Sequence, residues 1–163
     1  MRIPLIASIA VLVLMGATAA PQPHVVAPSA IDAGRFLIAY GGCNECHTPG
    51  WNERKASIPE SERLTGSTVG FQGTWGTSYP INLRLFFSHF SEARWIQLVR
   101  EPNFPIHPPM PWERLQTLSD DDLHAIYAYV HSLGNVGPPV PDFVPPGKPV
   151  RTPVIVLTPV TPP

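Results

Sequence analysis

The chain has 163 residues, a formal net charge of -1, and 14% charged against 44% hydrophobic residues, which suits one compact domain rather than two. Lys and Arg number 11 against 12 Asp and Glu, so no basic excess exists to neutralise phosphates, and no nucleic-acid partner is expected. Collagen-like, coiled-coil and charged-tail architectures are excluded, and ten of the 22 prolines crowd into residues 137–163, where neither a helix nor an inner strand can form.

In chain order, Arg2, the apolar residues 3–15 and the small residues 16–20 have the charged, apolar, small-residue order of an export signal. The apolar run falls short of the roughly 20 residues a bilayer-spanning helix needs. Residues 1–19 are therefore expected to be removed, with Ala17-Thr18-Ala19 as the cleavage site, leaving a periplasmic protein. The alternative is an uncleaved anchor, which alone would bring membrane association. Residues 20–28 are proline-rich and expected to be a flexible segment ahead of a domain over 29–136.

Ser29 and Asp32 have the spacing of a helix-opening capping box, and a helix is predicted to about Tyr40. Ala33, Phe36, Leu37 and Tyr40 share one face, and Gly41-Gly42 ends it. A second helix is predicted over 91–100, where Trp95, Leu98 and Val99 share a side and Pro102 forbids continuation. The third is the clearest. Ser119 followed by Asp120, Asp121 and Asp122 places a capping hydroxyl and three carboxylates at the positive end of a helix. Leu123, Ile126, Tyr127, Val130 and Leu133 form its predicted buried stripe, and Gly134 ends it.

Residues 48–90 show no sustained period and read as irregular loop with one short helical turn, so something other than secondary structure must organise them. The tail, 137–163, is expected to be extended polyproline-like chain. Its one apolar cluster is Val154-Ile155-Val156-Leu157. The tail reads either as disorder or as a docking strap for a partner.

The chain's two cysteines stand in Cys43-Asn44-Glu45-Cys46-His47, the spacing of c-type haem attachment. Two thiols separated by two residues reach the two vinyl groups on one side of a porphyrin, and the adjacent imidazole is held under the iron. Such a histidine donates its other ring N–H to a carbonyl or carboxylate, and a backbone carbonyl near Pro49 is the nearest candidate. Three other readings compete. A disulfide would close a tiny loop and leave the histidine without a purpose. A thioredoxin-like pair wants a preceding strand where a helix and Gly-Gly stand. Zinc needs four ligands, and there are only two thiolates.

Beyond the signal segment, Met110 is the only methionine. It lies in Pro108-Pro109-Met110-Pro111-Trp112, where prolines stiffen the backbone at small entropic cost. As a thioether opposite His47 it would complete the recurring cytochrome c ligand pair and raise the potential; as a bland alternative it fills a gap in the core. His107 is the rival ligand. His89, His124 and His131 read as surface or capping residues.

With these residues in view, the chain resembles class I monohaem cytochromes c, and in particular those that accompany periplasmic dehydrogenases. The matching runs are Gly34-Arg35-Phe36-Leu37 with Gly42 through Pro49, Gly76 through Leu83, Pro108 through Trp112, and Ser119 through Leu133, covering residues 30 to 135. The resemblance implies an all-α fold in which the N- and C-terminal helices cross around one covalently bound haem. Gly34 would allow close approach, and Phe36 would meet Tyr127 and Val130. It implies haem c on Cys43 and Cys46, His47 and Met110 as axial ligands, and Trp75, Tyr79, Asn82 and Trp112 near the haem. It also implies an electron carrier between a dehydrogenase and a respiratory acceptor. No catalysis is expected, because a filled sixth position excludes oxygen and peroxide. The alternative function is a gas sensor or haem enzyme in which Met110 is displaced.

Overall fold

The computed structural model describes residues 22–157. The signal segment expected over 1–19 lies outside the described residues, as do the last six positions of the tail. The described chain is mostly helical, with α1 (Ala30–Tyr40), α2 (Cys43–His47), α3 (Trp51–Arg54), α4 (Leu83–Ser88), α5 (Glu92–Arg100), α6 (Trp112–Gln116) and α7 (Asp120–Ser132). The three helices predicted from periodicity are α1, α5 and α7. Each is opened by a serine, expected at Ser29 and Ser119, whose hydroxyl accepts from a backbone N–H three residues on: Ser29 from Asp32, Ser91 from Arg94 and Ser119 from Asp122.

Helices α1 and α7 pack against each other more extensively than any other two elements. Gly34 is the reason they can. A methyl group at that position would sit 2.0 Å from the carbonyl oxygen of Ala125 and 2.7 Å from Cβ of Tyr129, so backbone meets backbone at the crossing. The face of α1 is turned from the predicted one. Ala33, Gly34, Leu37 and Ile38 are buried, whereas Phe36 is 52% exposed and Tyr40 83%. Phe36 does not meet Tyr127 and Val130 as expected; its ring stacks on Tyr40 at 5.7 Å. The crossing must bring Gly34 inward, and its inward neighbours are then Leu37 and Ile38 rather than Phe36.

From α7 come Leu123, Ala125, Ile126, Tyr129 and Val130. Tyr129, absent from the predicted stripe, is 1% exposed, and its hydroxyl donates to Glu60, which also accepts from Arg35. Tyr127 is half-buried and donates to the Phe90 carbonyl. Helix α5 adds Trp95, whose indole N–H donates to the Leu123 carbonyl at 3.1 Å. Ahead of α1, the Val25 N–H donates to the buried Asp122 carboxylate at 2.8 Å.

The all-α expectation gives way over 70–78 and in the tail. Strands β1 (Gly70–Gly73) and β2 (Gly76–Ser78) form an antiparallel hairpin in which Phe71 faces Ser78. Strand β3 (Val154–Val156) pairs parallel with β1, Gly70 beside Val154 and Gln72 beside Val156, giving the order β2-β1-β3. Strands of three or four residues are too short to show a period. A proline-free run of β-branched residues can supply ladder donors, and Val154-Ile155-Val156 is such a run in the tail.

The loop after the cysteines is organised by more than the predicted single turn. Besides α3 it holds 3₁₀ turns at Lys55–Ser57 and Glu60–Glu62, and Ile58 and Leu64 are fully buried. Buried Arg84 ties its far end down, donating to the carbonyls of Ser61 and Gly134, each at 2.7 Å. The second of these carbonyls follows the negative end of α7, where a guanidinium is favourable.

Candidate functional site

Helix α1 ends at Gly41, and Gly42, with φ +70, turns the chain into the single turn of α2. That turn carries Cys43, Cys46 and His47 together. Its back is stitched to the following loop. Thr48 donates from its hydroxyl to the Asn44 side chain and accepts from the Leu64 N–H, both at 2.9 Å, and the Gly66 N–H donates to the His47 carbonyl at 2.8 Å.

His47 is 8% exposed, and its Nδ1 lies 2.7 Å from the Ile81 carbonyl oxygen. A carbonyl can only accept, so Nδ1 carries the proton and the lone pair resides on Nε2. The expected partner near Pro49 is thus replaced by one 34 residues along the chain. Burial lowers the imidazole pKa, opposed by the bond to Ile81, so the ring is neutral at pH 7 and suited to donate through Nε2. The two thiols are half-buried and no disulfide joins them. Burial pushes Cys43 up to about 11, and burial with the neighbouring Glu45 charge raises Cys46. Both are therefore thiols at neutral pH.

Met110 is half-buried in the loop between α5 and α6. Its N–H donates to the His107 carbonyl at 3.4 Å, and its carbonyl accepts from Trp112 at 2.9 Å. The loop is also fastened from outside: the Ser78 hydroxyl donates to the Pro108 carbonyl. Ser78 and Ile81 are three residues apart, a span of at most about 10 Å in extended chain. One stretch, 78–81, therefore holds the predicted proximal ligand at one end and the Met110 loop at the other.

The other histidines are engaged elsewhere. His107 is exposed and stacks face to face on Phe143, with ring centroids 3.7 Å apart. His124 pairs with Glu92 at 2.8 Å, His131 stacks on Tyr127, and His89 caps α4. Among the described residues no three His, Cys, Asp or Glu side chains come together to hold a metal ion, so the zinc reading gains no ligands.

Four residues were expected beside the haem, and they divide into two pairs. The Tyr79 hydroxyl shares a hydrogen bond with Thr152. Asn82 caps α4 through its side-chain oxygen and donates to the carbonyls of Val136 and Pro138. Trp75 and Trp112 differ: the indole N–H of each is buried without a partner. A buried unpaired donor costs about 1–3 kcal/mol, and two such donors fit a bound group that carries acceptors, as the propionates of a haem do. With unpaired thiols, a lone pair on His47 Nε2 and a thioether on a loop held to the same stretch, the donor set fits a c-type haem.

The chain is similar to the cytochrome c subunits of alcohol dehydrogenase (quinone) from Gluconacetobacter polyoxogenes and Komagataeibacter europaeus. Each is 26% identical over 139 residues, which cover 85% of this chain and 29% of the relative. The chain thus spans less than a third of the length of these relatives. No family model matches it, and no solved structure does. The similarity supports a cytochrome c that resembles dehydrogenase subunits.

Proposed function

We propose that this chain is an exported electron-transfer protein carrying one haem c, attached through Cys43 and Cys46 and ligated by His47 and Met110. When bound, the haem supplies one-electron chemistry between ferrous and ferric iron. The observation that carries the reading is the 78–81 stretch, which fixes the tautomer of His47 through Ile81 and fastens the Met110 loop through Ser78. The residues divide the work as follows. Cys43 and Cys46 would supply the sulfurs that hold the haem, Ile81 orients the imidazole, and Met110 would hold the iron through its thioether and keep small molecules from it. Trp75 and Trp112 offer buried N–H donors for the acidic edge of the group. His107 is occupied by Phe143, which favours Met110 as the ligand.

The names of the relatives support a dehydrogenase as electron donor, and a respiratory protein would take the electron onward. Residues 1–19 direct the chain to the periplasm, where thioether attachment takes place. Expression in cells competent in haem attachment tests the proposal. The purified protein should retain its haem through acid extraction, and Cys43→Ala with Cys46→Ala should lose it. Colourless wild-type protein from such cells would overturn the reading. Rapid, tight carbon monoxide binding by the reduced protein at neutral pH would replace the carrier with the gas-binding alternative.

A further inference from the structure

We propose that the C-terminal tail is a brace for the redox site and that Phe143 is a positioning residue for the Met110 loop, a role that rests on Met110 being the second axial ligand. The tail reaches both edges of the hairpin. At the outer edge of β2, Thr77 and Val144 exchange backbone hydrogen bonds of 2.8 and 2.9 Å. At the outer edge of β1 the tail returns as β3, and the Leu157 N–H donates to Gln72 at 2.8 Å. Between these lies the Tyr79 to Thr152 bond, and ahead of them the Asn82 amide holds Val136 and Pro138. Gly76 makes the contact possible: at φ +113, a methyl group there would stand 2.3 Å from the Val144 carbonyl oxygen and 3.1 Å from the Phe143 ring. The residues that orient His47 and fasten Pro108 thus belong to a stretch the tail clasps along its length.

From that clasped position Phe143 reaches the Met110 loop directly. Its ring lies on His107 with planes 3° apart, three residues before Met110. Within the loop the bonds from Phe104 to Glu101 and from Met110 to His107 are both 3.4 Å long, while those from Ile106 to Phe104 and from Trp112 to Met110 are 2.9 Å. Ser78 and Phe143 are its outside anchors. A loop that detaches more readily exposes the sixth position, and the apparent affinity for an added ligand rises in proportion to the population of the detached state.

The test uses full-length holoprotein. Imidazole titration of the ferric form reads detachment, and amide hydrogen exchange over residues 104–112 reads the loop itself. Phe143→Ala should tighten imidazole binding about two- to tenfold, the range to which an aromatic pair's coupling corresponds, and should speed exchange in the loop. Phe143→Tyr keeps the ring and should restore both. His107→Ala breaks the stack at an exposed position and should act like Phe143→Ala, with the double variant no worse than either; should Phe143→Ala fail to fold, His107→Ala decides. Unchanged imidazole affinity in both variants overturns the proposal even if exchange quickens, because the stack is then a structural contact only. If wild-type protein lacks the sulfur-to-ferric charge-transfer band, Met110 is not the ligand and the assigned role falls with it; exchange then reports whether the tail braces the loop at all.

Discussion

Gly34→Ala probes the element on which the fold depends most. The added methyl would meet the Ala125 carbonyl oxygen at 2.0 Å, where ordinary contact begins at 3.4 Å, so α1 and α7 would have to part by about 1.4 Å. The obstructing atoms are backbone, and no rotamer change relieves them. Overpacking of this kind costs about 1–3 kcal/mol, and a contact this short lies at the upper end. Against it stands the helix-propensity gain of alanine over glycine, about 1 kcal/mol. The net is roughly 2 kcal/mol of destabilisation. For a domain of this size each kcal/mol shifts the midpoint by about 3–5 °C, so thermal unfolding followed by circular dichroism should show Tm lower by roughly 6–10 °C. An unchanged or raised Tm would mean that propensity outweighs the clash, and the account of Gly34 as the contact point would be wrong.

Two further predictions concern the site and its support. Met110→Ala should lower the midpoint potential and abolish the sulfur-to-ferric charge-transfer band; survival of both would remove Met110 from the ligand set. Burial pushes the Glu60 pKa up, but hydrogen bonds from Arg35 and Tyr129, with the Arg35 and Arg63 charges, leave it below the ordinary carboxylate value. A group depressed in the folded state contributes stability above its unfolded pKa and loses it as pH falls through the folded one. Denaturant titrations should therefore show Glu60→Gln less stable than wild type at neutral pH, with the gap closing below about pH 4. A gap that stays constant down to pH 3 would sink this reading.

What the sequence revealed follows the range of each signal. The Cys43-to-His47 motif, the serine caps of α1 and α7 and the buried Leu123, Ile126 and Val130 of α7 are local patterns, and local spacing is enough to find them. The face of α1 was misread because Phe36 and Tyr40 share a helical face with Ala33 as well as Leu37 and Ile38 do; which face turns inward is settled by Gly34 meeting Ala125, a contact between distant parts of the chain. The hairpin and β3 were missed because their strands are too short to show a period. Tyr129 and Arg84 were missed because their burial depends on partners, Glu60 for one and the carbonyls of Ser61 and Gly134 for the other.

Residues 77–82 are the sharpest case. The sequence points to Tyr79 and Asn82 within this run but not to what its neighbours do: Thr77 pairs with the tail, Ser78 holds Pro108, Ile81 holds His47 and Asn82 starts α4. Two of these tasks fall to backbone groups, which every residue has and no side chain advertises. The choice of a carbonyl for His47 has a chemical consequence on the proposed ligation. A carboxylate partner would place negative charge behind the imidazole, strengthen its donation and favour ferric iron, whereas a neutral carbonyl fixes the ring with less of that push. Combined with the Met110 thioether as the proposed second ligand, which would favour the ferrous state, the arrangement would bias the site toward accepting an electron. On the proposed function that bias would suit a protein that takes electrons from a dehydrogenase, with one peptide oxygen at Ile81 and one sulfur at Met110 as its source.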